Sequence, residues 1–248
     1  MGDTMKFAIV SDMHFGYDKC VLLDEDKQGN ISRSDKYREF AKAVGEDNDY
    51  LIVVGDVFDF SVASYEKAYR HGKNFFDWIR QDKLVKLSSS KKNSYGPVVY
   101  VAGNHDADVW HIVQHERSVI NRFNHKPAQL PKEYQHSVPG ILDLRHGSRG
   151  FWLRNTTVNT APGEDSYGGM FLDNITDPKT VFYFAYPNLY IVFDDSTSVL
   201  VTHGQYLESY WSLAGELATN VAYDKLKLGG PVKTHMDLEK MVEFNYPL

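Results

Sequence analysis

Four short apolar runs, Phe7-Ala8-Ile9-Val10, Leu51-Ile52-Val53-Val54, Val98-Val99-Tyr100-Val101 and Ser198-Val199-Leu200-Val201, are each followed within two residues by a polar cluster. The clusters are Asp12-Met13-His14, Gly55-Asp56-Val57-Phe58-Asp59, Gly103-Asn104-His105-Asp106 and Thr202-His203-Gly204. The runs are too short for helices, rich in β-branched and aromatic residues, and stopped by Gly, Asp or Asn, so they read as strands. Unbroken apolarity, rather than strict alternation, points to strands covered on both faces. In sheets of that kind, ligands gather where the chain leaves the carboxyl ends of the strands. Four loops bearing Asp, His and Asn are therefore expected to converge on one rim.

Helical patterns separate the runs. Ser32 to Gly45 carries Tyr37, Phe40, Ala41 and Val44 on one face, with Ser32 as a start signal and Gly45 as a stop. Tyr65 to Leu84 repeats the pattern through Tyr69, Phe76 and Ile79, and a polar stretch follows at Ser88 to Gly96. The βαβ order predicts an α/β layered domain. From Asp108 an amphipathic helix with Val109, Ile112 and Val113 leads into Pro/His/Gln-rich and then Gly/Arg-rich sequence. None of it contains a cluster of the first kind, so residues 107–180 are expected to form a cap or insertion over the rim. Strand patterns resume at Asn188 to Phe193 and return through Ser198 after the turn Asp194-Asp195-Ser196. The 248 residues are read as a single domain.

A formal charge of -6 disfavours a broad nucleic-acid-binding surface. Cys20 is the single cysteine, so no internal disulfide is required and a cytoplasmic setting is expected. No apolar stretch approaches the ~20 residues of a membrane helix. The most lipid-like one, Val181 to Phe193, is interrupted by Pro187 and Asn188 and reads as core or as a substrate-facing wall.

The clusters carry the chemistry. Asp12 and His14, one residue apart, can offer an oxygen and an imidazole to one cation. Asp56 on the next loop can bridge that ion to a second one, for which Asn104 supplies a carbonyl oxygen and His203 a nitrogen. Two such ions, about 3.5–4 Å apart, can acidify a water and clamp phosphoryl oxygens during in-line displacement. His105 is then free to hydrogen-bond the phosphoryl group or protonate a leaving alkoxide, with Asp106 expected to orient its ring. Asp59 is read either as a helix N-cap or as a support for the ligands.

Taken in order, these elements resemble the calcineurin-like metallophosphoesterase family, whose pattern runs D-x-H, G-D-x-x-D, G-N-H-D/E, a lone His after a strand, and G-H-x-H. The resemblance covers residues 7–204 and implies a layered β-sandwich of mixed sheets flanked by helices, with a cap. It also implies a two-metal phosphoesterase that cleaves a phosphomonoester, phosphodiester or pyrophosphate through a hydroxide bridging the metals. Mn2+ is favoured, with Fe, Zn2+, Co2+ or Ni2+ as alternatives, and the expected partner is a phosphate-containing small molecule. Asp12, His14, Asp56, Asn104 and His203 would be the metal ligands, and His105 and Asp106 the catalytic pair. No Gly-His-x-His follows His203, and His235 lacks that context, so the expectation is that the chain is a portion of a longer protein. A nuclease of the same family and an inactive scaffold are the alternatives.

Three side features are read more plainly. His111 and His115, four apart on a helix, fit a solvated face. Arg145, His146, Arg149 and Arg154 are able to grip an anion but fit a solvated loop. At least half of Phe182, Tyr183, Phe184, Tyr186 and Tyr190 are assigned to the core on strand alternation.

Overall fold

Every one of the four apolar runs forms a strand. In the computed structural model, which describes residues 5–87, 98–120, 137–145, 150–153, 171–172, 174–176, 180, 182–209, 213 and 239, the order is β1 (Phe7–Val10), β2 (Leu23–Glu25), β3 (Ile31–Arg33), α1 (Asp35–Val44), β4 (Tyr50–Val54), α2 (Tyr65–Gln81), β5 (Val98–Val101), α3 (Ala107–His115), β6 (Gly140–Asp143), β7 (Gly150–Leu153), β8 (Phe182–Ala185), β9 (Asn188–Val192) and β10 (Ser198–Thr202). One sheet, ordered β1-β4-β5-β8, is parallel throughout. A second, ordered β10-β9-β6-β7, is mixed, with β6 parallel to β9 and antiparallel to β7. β2 and β3 form a separate hairpin.

The period of two along β8 shows how the layers stack. Phe182 packs against Phe76 of α2, with ring centroids 5.5 Å apart, and Phe184 stacks on Trp110 of α3 at 5.6 Å and on Tyr100 of β5 at 4.6 Å. Tyr183 points the other way and stacks on Phe151 of β7 at 4.8 Å. The parallel sheet is thus covered by helices on one face and by the second sheet on the other, which is why β4, β5 and β8 are buried along their whole length. These are the layered α/β sandwich and flanking helices that the sequence implies. Phe182, Tyr183, Phe184 and Tyr186 are all core residues.

Several expectations are corrected. Among the described residues β1 and β10 lie at sheet edges; Ile9 is 54% exposed and Val199 and Leu200 are exposed despite their apolar runs, whereas β8, at the opposite edge from β1, is buried. Helix α1 starts at Ser34, whose hydroxyl accepts the Tyr37 N–H at 3.1 Å. Ser32 instead pairs with Asp24 in the hairpin. Ile112 is exposed, and α3 buries Val109, Trp110 and Val113. Within residues 107–180, the described strands β6 and β7 are built into the second sheet. The Ser88 to Gly96 stretch lies outside the described residues, as do His146, Arg149, Arg154, His235 and, Leu213 aside, the helical pattern from Trp211 to Ala222. Among the described residues, no helix is long and apolar enough to cross a membrane.

A buried histidine ties the hairpin to the rim. His71 of α2 accepts the Gly16 N–H on Nδ1 at 3.2 Å, so its proton sits on Nε2 and is donated to Glu25 of β2 at 3.0 Å. Burial, helped by the charges of Lys67 and Arg70, lowers its pKa against the pull of Glu25. The unfolded chain takes up a proton here as pH falls below about 6.5, while the folded chain resists, so stability is lost on acidification through that window. Replacing His71 by Asn, whose amide oxygen can take the place of Nδ1, should flatten this dependence. Urea denaturation of both proteins from pH 7 to pH 5 measures it, and parallel pH profiles would contradict the assignment.

Candidate metal centre

The loops leaving β1, β4 and β5 are laced together by backbone hydrogen bonds that carry the pairing past the strands. Asp12 N donates to Gly55 O at 3.1 Å, His14 N to Asp56 O at 2.8 Å, Phe15 N to Val57 O at 2.8 Å, and Gly55 N to Val101 O at 2.6 Å. Asp12, His14 and Asp56 hold left-handed backbone angles, with φ of 56°, 49° and 53°. For non-glycine residues these are costly conformations, by about 1–3 kcal/mol each, and they persist only where the surroundings over-determine them. The three residues belong to the predicted ligand set.

Two glycines open the space for these side chains. A Cβ on Gly55 would collide with the ring of His203, and one on Gly103 would fall on the carboxylate of Asp56. The Gly-Asp and Gly-Asn pairs of the sequence are therefore steric requirements of the site as well as turn formers. His203 arrives from β10, in the second sheet, and not from the sheet that carries the other three loops.

Asp56 is the centre of the arrangement. Its Oδ2 lies 3.3 Å from His203 Nε2 and 3.7 Å from His14 Nε2, and its Oδ1 accepts the His105 N–H at 2.9 Å. Burial opposes its ionisation, but the hydrogen bonds and charge of His203 and His105 outweigh that and hold its carboxyl below the usual range. His203 Nδ1 donates to the Val54 carbonyl at 2.9 Å, which turns Nε2 toward Asp56. Burial works against a proton on His203, yet Asp56 and the Val54 carbonyl push its pKa up to about 9.

Donor atoms of Asp12, Asp56 and His203 lie within 4.8 Å of one another, and so do those of His14, Asp59 and His105. Both sets mix carboxylate oxygen with imidazole nitrogen, a chemistry that fits divalent first-row metals. Asn104 sits between Gly103, which abuts Asp56, and His105, whose N–H is bound to Asp56. All the residues predicted to hold metal are thus on the three laced loops or on the loop after β10.

Asp59 takes the part that the sequence reading assigned to Asp106. Its carboxylate lies 3.1 Å from both His14 Nδ1 and His105 Nδ1, and it also accepts the Ser61 hydroxyl. With Nδ1 of each ring engaged, Nε2 of His14 faces Asp56. Burial again opposes ionisation of Asp59, and Ser61, His105 and His14 together lower its pKa. Ser61 Oγ is 2.9 Å from His105 Nδ1. Ser61 was not anticipated, and the spacing Asp59-x-Ser61 is its only sequence signal. Asp106 is corrected: its carboxylate faces inward, fully buried, accepting the N–H groups of Val57 at 2.8 Å and Gly103 at 2.7 Å together with the Tyr100 hydroxyl. The chain bends over residues 104–106, so the neighbouring His105 and Asp106 side chains leave it in different directions. Burial dominates and raises its pKa.

Elsewhere, Arg145 lies on Asp143, with contacts of 2.7–3.1 Å. His111 lies 3.9 Å from Asp108.

The family model for calcineurin-like phosphoesterases matches residues 5–228. Neither the curated proteins nor the solved structures give a match.

Replacing Asp106 by Ala would strand two buried backbone donors and a buried hydroxyl, at about 1–3 kcal/mol each. The variant should be destabilised by roughly 3 kcal/mol or more in equilibrium denaturation. A loss under about 1 kcal/mol would show that the carboxylate does not brace the two loops.

Proposed function

The chain belongs to the calcineurin-like phosphoesterase family, and from that premise we propose that it hydrolyses a phosphomonoester, phosphodiester or pyrophosphate bond with two divalent metal ions. The family as a whole carries out metal-dependent phosphoester hydrolysis. The observation that carries the reading for this chain is the position of Asp56 Oδ2 between the Nε2 atoms of His203 and His14, at 3.3 Å and 3.7 Å. A single buried carboxylate with imidazoles on two sides is what a pair of neighbouring cations requires of a shared ligand.

The family pattern would give Asp12, His14 and Asp56 to one ion and Asp56, Asn104 and His203 to the other, whereas the donor atoms converge as Asp12, Asp56 and His203 and as His14, Asp59 and His105. Asp56 is a ligand in both divisions, and Mn2+ is favoured with Fe, Zn2+, Co2+ or Ni2+ as alternatives. Bound ions supply Lewis-acid stabilisation of the phosphoryl oxygens and an acidified water. The protein's own groups do the rest. Asp59 holds His105 by Nδ1, which leaves Nε2 to bond a phosphoryl oxygen or to deliver a proton to the departing alkoxide. Asp56 and the Val54 carbonyl keep the His203 ring in one orientation. The single cysteine supports a cytoplasmic setting, and the acidic balance supports a small-molecule substrate over a nucleic acid.

Two substitutions separate the roles. Asp56→Asn removes the shared charge and should lower occupancy of both ions and nearly abolish turnover of 4-nitrophenyl phosphate and its diester. Retained metal by elemental analysis, with full rate, would contradict the shared ligand. His105→Gln should leave metal content in place and slow turnover by about 10²–10⁴-fold for alkyl esters, with a smaller loss for 4-nitrophenyl esters. Equal losses for the two leaving groups would argue against proton delivery.

A further inference from the structure

Beside His105 lies a set of aromatic and apolar side chains that the metal chemistry does not use. Phe60 N donates to the His105 carbonyl at 3.2 Å, and Ser61 Oγ lies 2.9 Å from His105 Nδ1, so residues 60 and 61 flank the histidine directly. The Phe60 ring stacks nearly parallel on fully buried Phe58, with centroids 5.5 Å apart, and Phe171 meets it edge-on at 6.0 Å. The Tyr65 ring lies 4.5 Å from that of Phe60. Unlike the rings beneath it, Tyr65 is 48% exposed, and Val62 is 64% exposed.

An exposed ring is ordinarily a mobile one, but Tyr65 is held at both ends. Its backbone is the first residue of α2, after the Ser64 cap, and its hydroxyl donates to Asp108 of α3 at 2.9 Å. A rigid, uncovered aromatic surface loses little freedom when a second ring settles on it, which is what makes such surfaces good recognition elements. Asp108, itself exposed, places a hydrogen-bond acceptor at the outer edge. Its charge repels a second phosphate at that end and favours a neutral group with an N–H or O–H.

Taken with the phosphoesterase reading, on which this rests, we propose that Phe60 and Tyr65 form a shelf for a planar ring carried by the leaving group of the substrate. Asp108 receives a donor on that ring. The substrate class is then a phosphoester of a ring-bearing alcohol, such as a nucleoside, and not of a simple polyol or an acyl chain. A polyol gains nothing from stacking, and an acyl chain nothing from Asp108. Because Phe60 and Ser61 both bond His105, a ring on the shelf would also position the ester oxygen beside the histidine.

The test uses the full chain loaded with Mn2+ and compares adenosine monophosphate with ribose 5-phosphate as inhibitors of 4-nitrophenyl phosphate hydrolysis. The two share a phosphate and a primary alkoxide and differ in the base. The adenosine compound should inhibit about tenfold or more tightly. Tyr65→Ala, a change at an exposed position, should bring the two inhibition constants within about twofold, whereas Tyr65→Phe should keep the preference for the base. Equal inhibition in the unaltered protein, or a preference that survives Tyr65→Ala, overturns the shelf while leaving the phosphoesterase reading intact. Absence of any phosphoester turnover counts against that reading instead. The same two ligands are then compared by calorimetric binding to the Mn2+-loaded protein, with the same two outcomes deciding.

Discussion

The site depends on backbone hydrogen bonds that continue beyond the ends of three parallel strands. Parallel strands normally part at their carboxyl ends and leave loops free to diverge. Here Asp12, His14 and Phe15 donate across to Gly55, Asp56 and Val57, and Gly55 donates in turn to Val101. That lacing holds Asp12, His14 and Asp56 in left-handed conformations that an isolated loop would abandon. Parallel pairing in the buried sheet therefore sets where the donor atoms stand, and the strain at each is offset by the burial of β4, β5 and β8 beneath them.

Three aspartates on the loops after β4 and β5 show how environment divides work among identical side chains. Asp56, between imidazoles, is held ionised and faces the donor cluster. Asp59, one layer out, joins His14 to His105 and Ser61 and so governs which ring nitrogens remain available. Asp106 is walled off altogether and serves the backbone, bonding Val57 and Gly103 from below. Desolvation opposes ionisation in each case, and only where enough donors and positive charge surround the carboxylate is that opposition overcome.

The aromatic residues divide in a comparable way. Phe58, Phe75, Phe76, Phe182 and Phe184 are buried and hold layers together. Phe60 and Tyr65 continue the same ring stack outward to the rim, where the packing of the interior becomes a surface beside His105. Core and site are thus continuous in this segment, and the residues that brace the Gly-Asp-x-x-Asp loop also shape what lies next to it.

Local pattern is enough to place the four strands that precede the polar clusters, the helices between the first three of them, and the residue types on the rim. Four apolar runs ended by Gly, Asp or Asn are legible within a window of ten residues, as are the helices around Tyr37 and Phe76. What covers a strand is not local, and so the exposure of Ile9, Val199 and Leu200 could not be read from their runs. The tertiary structure alone decided which carboxylate meets which imidazole. Asp106 is adjacent to His105 in the chain, but adjacent residues leave a turn in different directions, and Asp59, 46 positions away, makes the contact instead. It also decided that His203 reaches Asp56 from the second sheet, a meeting across 149 residues to the Val54 carbonyl that only the packing of one sheet on the other brings about.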